Sequence, residues 1–554
     1  MLENARDLIR RGDQLLGKRE NLLNLWQEIA ENFYPERADF IVKRSIGDEF
    51  AGNLSTSYPL LARRDLGNSI GGMLRPTAKE WFSIRAAREE REDQPAKMWL
   101  ETMTQRMKRA MYDRAAKFNR ATKECDHDWA AFGNGVISVE LNRAQTNLLY
   151  RNWHLRDVAW CENAEGEIDT VHRKWKPTAY DLAGTFRAEK LHPTVQACLK
   201  RGEDLYKEFE CRHVVVPWDQ YDGPYRKGSV RTPFVSIYID KDNEHVIEER
   251  PVWNRIYVIP RWQTVSGSQY AHSAAVVAAF PDARLVQAMT YTLLEAGEKA
   301  TNPPLIATKN AIRGDVAMYA GGITWVDNEY DERLGEVLRP ISQDLSGMPI
   351  GIDMQRDTRA MISEAFFLNK LSLPPPGKDM TAYEVGQRIQ EYIRQALPLF
   401  EPVETDYNGE LCDITFDLLR RAGVFGSVNE IPESLQGADV QFRFESPLHE
   451  AIERQRGQKF VEVRDTLAVA MQIDQINNPN VDTQTALRDV LNGIHAPAKW
   501  LRDERAVEQM MADAAQKAQG QQMMAQAAQI AEAAKPAAEA SKAMAEAEAV
   551  RAAA

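Results

Sequence analysis

The sequence predicts a mixed α/β fold, mainly α, and three observations carry that prediction. Long stretches repeat apolar residues at helical spacing, and strand-type runs cluster between about 135 and 260. Residues 281–400 place two helix-length segments around a glycine-cut insert, followed by a proline loop and a third helix.

Taken in order, Leu8, Leu15, Leu16, Leu22, Leu23, Leu25, Trp26, Ile29 and Ala30 mark the apolar face of a helix over 1–33, which Pro35 closes. A second helix is expected from Tyr58 to Leu74, then Arg75-Pro76 and an extended Glu80-Trp81-Phe82-Ser83-Ile84. The charged run from Arg88 to Asp93 reads as a solvated turn. One long helix is expected from about Pro95 to Phe132, ended by Gly133-Asn134-Gly135. Val136 to Leu141 and Asn147 to Asn152 read as a hairpin. Within the strand-rich tract from Arg212 to Pro260, the Phe234–Ile239 and His245–Ile247 runs join across Asp240 to Glu244.

In the central module, Pro281 and Asp282 suit the first turn of a helix carrying Leu285, Val286, Met289, Leu293, Ala296 and Ala300 on one face. It stops at Asn302-Pro303-Pro304. From Leu305 to Ile352 short apolar runs such as Gly321-Gly322-Ile323-Thr324-Trp325-Val326 predict a mostly extended insert. Helix resumes at Asp353, with Met354, Met361, Ile362, Ala365 and Phe366 on one face; a helix of about 20 residues spans roughly 30 Å. After the loop Ser372 to Asp379, Thr381 and Glu384 make a capping box for a helix running to about Gln395, before Pro398. Further helices are expected near Glu410–Arg421 and Leu448–Gln472. From Arg505 onward the chain is rich in Ala, Gln, Glu, Met and Lys. It reads equally as helices packed through small residues and as a frayed tail.

A chain of 554 residues accommodates three or four domains. Its five cysteines are scattered and never form a CxxC pair, which points to free thiols and against structural zinc. No apolar run approaches 18 residues and no signal-peptide core opens the chain, so a soluble, unexported protein is expected. A formal net charge of -12 argues against gripping nucleic acid through a basic face. It is compatible both with DNA sliding past and with simple solubility.

No catalytic, cofactor or metal constellation stands out. Gly12 to Lys18 follows the phosphate-loop spacing until Arg19 replaces the required Ser or Thr, and it sits inside a helix with no preceding strand. His127 with Asp126 and Asp128 is the nearest acid/base cluster, but one turn of a helix accounts for it. The histidines form no zinc pattern, and no GxSxG elbow occurs.

Several local patterns resemble the portal proteins, or head-to-tail connectors, of short-tailed, podovirus-type bacteriophages. They are Leu74-Arg75-Pro76 with Glu80-Trp81-Phe82; Asp128-Trp129-Ala130-Ala131-Phe132-Gly133-Asn134-Gly135; and Pro260-Arg261-Trp262, Gln269-Tyr270-Ala271-His272-Ser273, Pro281-Asp282 and Glu298-Lys299-Ala300-Thr301-Asn302-Pro303-Pro304. Ala271-His272 departs from the Tyr-Gly-Arg often found there. The resemblance spans most of 1–500 and implies a ring-forming portal fold. Its parts would be a wing (1–280), stem helices (281–300 and 353–371), a clip (301–352), a channel loop (372–380), a returning wing segment (381–450) and a crown or helical barrel (451–554).

The implied channel-loop residues are Leu373, Pro374, Pro375, Pro376, Gly377, Lys378 and Asp379. The clip residues would be Trp325, Asp327, Glu329, Tyr330, Asp331 and Glu332. Read as residues alone, the first set also suits an ordinary interhelical loop and the acidic set a solvated turn. The family implies a homo-oligomeric ring of twelve at one capsid vertex of the virion, assembled in the host cytoplasm and without catalytic activity. Implied partners are the major capsid protein and scaffold, the terminase large subunit, a tail adaptor, and double-stranded DNA passing without sequence specificity. Two other readings stay open: another virion assembly protein (scaffold or tail adaptor), and a soluble mixed α/β enzyme.

Overall fold

Helix faces and strand runs gather into two compact units, one of residues 1–83, 104–426 and 442–452, the other of 84–103, 427–441 and 453–554. The computed structural model describes residues 4–303, 305–307, 338–340, 348–368 and 403–444, apart from 46, 53, 78, 89, 90, 203, 224–230, 428 and 429, together with scattered positions between 509 and 547.

In the first unit the helix expected over 1–33 is two helices, α1 (Ala5–Gly17) and α2 (Glu20–Phe33). The break has a physical cause at Arg19. Its guanidinium is buried and donates to the carbonyls of Leu155 at 2.7 Å and Val158 at 2.5 Å and to that of Arg156, a position that a continuous helix would not give it. The near phosphate-loop stretch lies in α1, without the strand-to-helix loop that such a site needs. Helix α3 (Tyr58–Leu74) has the expected bounds, and strand β1 is Phe82–Ala86.

The single long helix expected to Phe132 is likewise two, α4 (Gln94–Met111) and α5 (Phe118–Phe132). Asp113 Oδ1 accepts from Ala115 N at 2.7 Å and Lys117 takes a left-handed φ of 59°, so the chain turns. The turn frees the Ala116 carbonyl to accept from Tyr150 N at 2.8 Å. Gly133 ends α5 at φ 70°, and a Cβ there would lie 2.1 Å from the His272 carbonyl carbon, so only glycine fits.

Strands β2 (Ile137–Leu141) and β3 (Leu148–Asn152) pair antiparallel as the sequence predicts, with β9 (Tyr257–Val258) on the other side of β2. The larger sheet is an antiparallel meander of β4 (Val158–Glu162), β5 (Ile168–Trp175), β6 (Cys211–Pro217), β7 (Phe234–Asp240) and β8 (His245–Val252). Two short helices, α6 (Ala179–Thr185) and α7 (Pro193–Arg201), cover one face through Leu182, Phe186, Leu191 and Val195. The sequence reading missed both, although Thr178 and Asp181 form a capping box at the start of α6.

Helix α1 covers the other face, packing Ala5 and Leu8 on Val214, Val216, Val235, Ile237 and Ile239. The same face carries Thr170 and His172 of β5 and Arg212 of β6, all buried. Thr170 Oγ1, both ring nitrogens of His172, and Nε and Nη1 of Arg212 have no hydrogen-bond partner among the described residues. Each such buried atom costs about 1–3 kcal/mol.

Helix α8 (Ala274–Thr301) starts a full two turns before Pro281, because Ser273 caps it by accepting from Val276 N at 3.2 Å. Pro281 therefore lies inside the helix. Val277 and Pro281 are both solvent-exposed, so water can take the carbonyl that the proline leaves without a donor. Helix α9 (Met348–Ala365) also begins earlier than the expected Asp353. Between them, β10 (Leu305–Ala307) pairs antiparallel with β11 (Leu338–Pro340). Helix α10 (Glu410–Arg421) falls where expected, preceded by a π-helical turn at Val403–Gly409. Strand β12 (Val440–Phe444) pairs with β1. The helices expected at 381–395 and 448–472 lie outside the described residues. In the second unit Glu92 accepts from Ala86 N at 2.8 Å, and Ser434 donates to Asp93 Oδ1 at 2.9 Å. All five cysteines are free thiols.

Gly133→Ala should destabilise the first unit by about 3 kcal/mol or more, since it adds strain at positive φ to a backbone collision. Urea unfolding followed by tryptophan fluorescence reads this; an unchanged midpoint would contradict the tight crossing of Gly133 and His272.

Candidate functional site

Helices α8 and α9 form a hairpin whose base is fixed and whose outer face is bare. At the base, Ser273 Oγ donates to the Ala130 carbonyl at 2.7 Å, tying the first residue of the hairpin to α5. Ala275, Val276, Ala279, Ala283 and Val286 are buried, and such small side chains let α8 lie close against its neighbours. Gln287 accepts from Ser55 N and Thr56 N and donates to Thr56 O, at 2.8, 2.9 and 2.9 Å. Phe33 packs on Phe366 and Phe280, with ring centroids 5.5 and 6.3 Å apart. Between the helices, Gln355 Nε2 donates to Thr290 Oγ1 at 2.6 Å, and Gly351 faces Leu293 so closely that a Cβ would lie 3.1 Å from its methyl.

Exposed large apolar side chains are Leu285, Tyr291 and Leu294 of α8 and Ile350, Ile352, Met354 and Met361 of α9; Tyr291 is 64% and Ile350 65% accessible. At 28 residues, α8 is about 42 Å long.

The residue patterns singled out in the sequence meet at the joint from which this hairpin starts. Trp129 stacks on Trp262 at 4.1 Å with planes 13° apart. Asn134 donates to Ala271 O at 2.7 Å and accepts from Ala271 N at 3.0 Å, while Trp262 N donates to Gly133 O at 2.9 Å. Tyr270 packs against Trp26 and Trp160.

Behind the joint, three consecutive residues of α5 each meet an arginine. Asp126 pairs with Arg75, which also donates to Asn408 Oδ1 at 2.7 Å and lies 4.6 Å from the Tyr407 ring centroid. His127 Nδ1 accepts from Arg63 at 3.0 Å, and Arg63 in turn donates to Phe33 O at 3.1 Å and covers the Tyr34 ring. Asp128 takes a bidentate bond from Arg37 at 3.0 and 2.9 Å and a third, from Asn152, at 2.7 Å.

Burial, reinforced by Arg63, holds His127 down to about 4, so it is neutral and free to accept. Burial alone would lower Arg37, but Asp128 outweighs it and keeps the guanidinium charged. The one acid/base cluster that the sequence offered is thus occupied by structural partners. A cleft of about 410 Å³ lies beside it, walled by Gly67, Gly71, Gly72 and Thr122, but Arg75 and Asp126 at its edge are already engaged with each other. Among the described residues no group of three or more His, Cys, Asp or Glu is placed to hold a metal ion.

The channel-loop candidates Leu373 to Asp379 and the clip candidates Trp325, Asp327, Glu329, Tyr330, Asp331 and Glu332 all lie outside the described residues. The structure brings together instead the two helices that flank the clip candidates, the second of which precedes the channel loop. Sequence reasoning missed Arg37 and Arg63 and gave Arg75 no role. The available signal was Asp126 and Asp128 within an otherwise apolar helix end, since buried carboxylates require cations.

Known proteins share much of this chain. A family described as "Bacteriophage head to tail connecting protein" matches residues 5–501. A "Probable portal protein" of Bordetella phage BPP-1 is 26% identical over 453 residues, 80% of this chain and 79% of that protein. The "Portal protein" of Salmonella phage epsilon15 is 21% identical over 455 residues, with the same shares covered. Among solved structures, a chain of the "Virion of native gene transfer agent (GTA) particle" aligns over 78% of this chain and 90% of its own, at 9% identity and a TM-score of 0.34.

Arg75→Met should cost about 3–5 kcal/mol by stranding Asp126 in the core, and Arg75→Met with Asp126→Leu should recover much of that loss. A double-mutant cycle in urea measures it. Additive single losses would show that the two charges do not depend on each other.

Proposed function

The chain belongs to the bacteriophage head-to-tail connecting proteins, and from that membership we propose that copies of it close into a ring around an axial channel for the phage genome. It is a portal protein, a connector of the virion with a mixed α/β, mainly α fold. The observation that carries the ring reading is the α8–α9 hairpin, with a base locked into its own unit and several large apolar side chains facing solvent. A monomer would expose those side chains to water; neighbouring copies would cover them. Closure requires two different complementary surfaces on each copy, so the hairpin of one subunit would meet another face of the next.

Within this proposal the ring has twelve copies and sits at one capsid vertex, assembled in the host cytoplasm beside capsid protein and scaffold. Residues 301–352, with Trp325, Asp327, Glu329, Tyr330, Asp331 and Glu332, form the end that docks the terminase large subunit during packaging and the tail adaptor afterwards. Leu373 to Asp379, with three consecutive prolines stiffening the loop, stand nearest the DNA. The ring does no chemistry of its own, and packaging energy comes from a partner ATPase. A net charge of -12 supports a conduit that lets phosphate pass without holding it.

Electron microscopy of the purified chain should show annular particles with an axial hole. Tyr291→Glu with Ile350→Glu should yield monomers of unchanged helix content by circular dichroism. Compact monomers from the natural sequence would remove the ring proposal, and intact rings from the double variant would move the interface off this hairpin. ATP hydrolysis by the purified ring, abolished by changing Lys18, would overturn the assignment of energy to a partner.

A further inference from the structure

Helix α1 is held to the five-stranded sheet by few groups. Ala5, Leu8 and Leu16 are its buried apolar side chains, and Gly12 contributes none. Two ion pairs fasten it, Asp13 with Arg212 at 2.7 Å and Arg6 with Glu244 at 2.7 Å. The second is largely exposed, and exposed pairs add little. Against this stands the polar strip beneath the helix. Five atoms of Thr170, His172 and Arg212 lack partners among the described residues while α1 is docked, and Gly12 leaves no room for a Cβ, which would lie 2.7 Å from His172 Nδ1. Lifting α1 would give those atoms water, which offsets part of the cost of exposing the apolar face.

We propose that α1 is a displaceable latch, which undocks as one helix from the face of Val214, Val216, Val235, Ile237 and Ile239 while the sheet and α5 remain folded. Opening of this kind is a sub-global transition, set by the local balance of interactions rather than by the stability of the whole unit.

The groups around His172 give the latch a pH dependence. Arg11 acts on it from α1, Arg212 and His213 from β6; Asp13 and Glu210 engage Arg212, and Arg19, Asp157 and Glu210 surround Lys174 of the same strand. Burial, with Arg11 and Arg212 adding to it, holds His172 down to about 3. Undocked, the ring returns toward its ordinary value of about 6.5. Above that pH the ring is neutral in both states and docking is strongest. As pH falls below it, the open state takes up a proton that the docked state refuses, so opening gains about tenfold per pH unit.

Hydrogen exchange of the full chain, corrected for intrinsic rates, tests this at pH 7.5, 6.5 and 5.5. Amides of α1 should exchange at least about tenfold faster than those of α5 at pH 7.5, and their opening constant should rise about fivefold between pH 6.5 and 5.5. His172→Leu should slow α1 exchange and remove the pH dependence. Gly12→Ala should speed it, because the new methyl would lie 2.7 Å from His172 Nδ1, although alanine favours helix. Protection of α1 equal to that of α5 at every pH, or slower exchange in Gly12→Ala, would overturn the latch. A pH dependence that persists in His172→Leu would take His172 out of it. Should His172→Leu fail to fold, the Gly12→Ala comparison and the pH series on the natural chain still decide.

Discussion

The meeting of α5 with three arginines is the constraint on which the first unit rests. Successive helix residues point about 100° apart, so Asp126, His127 and Asp128 reach three different directions. Arg75 comes from the end of α3, Arg63 from its middle, and Arg37 from the turn after α2. One helix turn therefore fixes the positions of α2, α3 and the π-helical turn that carries Asn408. Because a buried charge without its partner costs several kcal/mol, these elements cannot shift independently. The same helix ends at Gly133, against which the chain at His272 and Ser273 crosses, and there α8 begins. The direction of the hairpin is thus set by charge pairing within α5 and by close backbone approach at its end.

That arrangement explains which parts of the fold could be read from the sequence. Helices α3 and α10 and the β2–β3 hairpin are governed by local pattern, and their expected and observed bounds agree closely. The two missed helix breaks are governed by distant partners. Arg19 leaves the α1–α2 path for carbonyls about 136 to 139 residues away, and Ala116 turns outward to meet Tyr150. Periodicity holds no record of either demand. The start of α8 went astray for a different reason. Pro281 suits a first turn, but the serine cap and the buried run Ala275, Val276, Ala279 outweigh one missing hydrogen bond at a solvated position. The arginine partners were illegible because nothing local marks which of many arginines will face inward. The buried acids announced that partners were needed, not which ones.

The hairpin and the α1 docking face show two ways in which a stable unit keeps part of itself in reserve. In the hairpin, polar bonds and aromatic packing hold the base, and large apolar side chains are exposed. Under α1 the order is reversed: the apolar packing is made within the chain, and the polar atoms are left without partners. The first arrangement favours gain of a neighbour, and the second favours release of a helix from its own sheet.

Charge placement bears on the proposed channel more directly than total charge does. Five arginines, Arg19, Arg63, Arg75, Arg173 and Arg212, are buried, against three aspartates, Asp126, Asp128 and Asp240. Among the described residues more cations than anions are thus withdrawn from the surface. The charge left outside the core is therefore slightly more negative than the formal -12. Arginines paired within the core cannot bind phosphate, and each phosphate pairing so avoided removes a point of salt-dependent adhesion. Those five arginines are a small part of the 69 basic residues, so they shift the balance only slightly, toward a net charge that repels a polyanion rather than one that grips it.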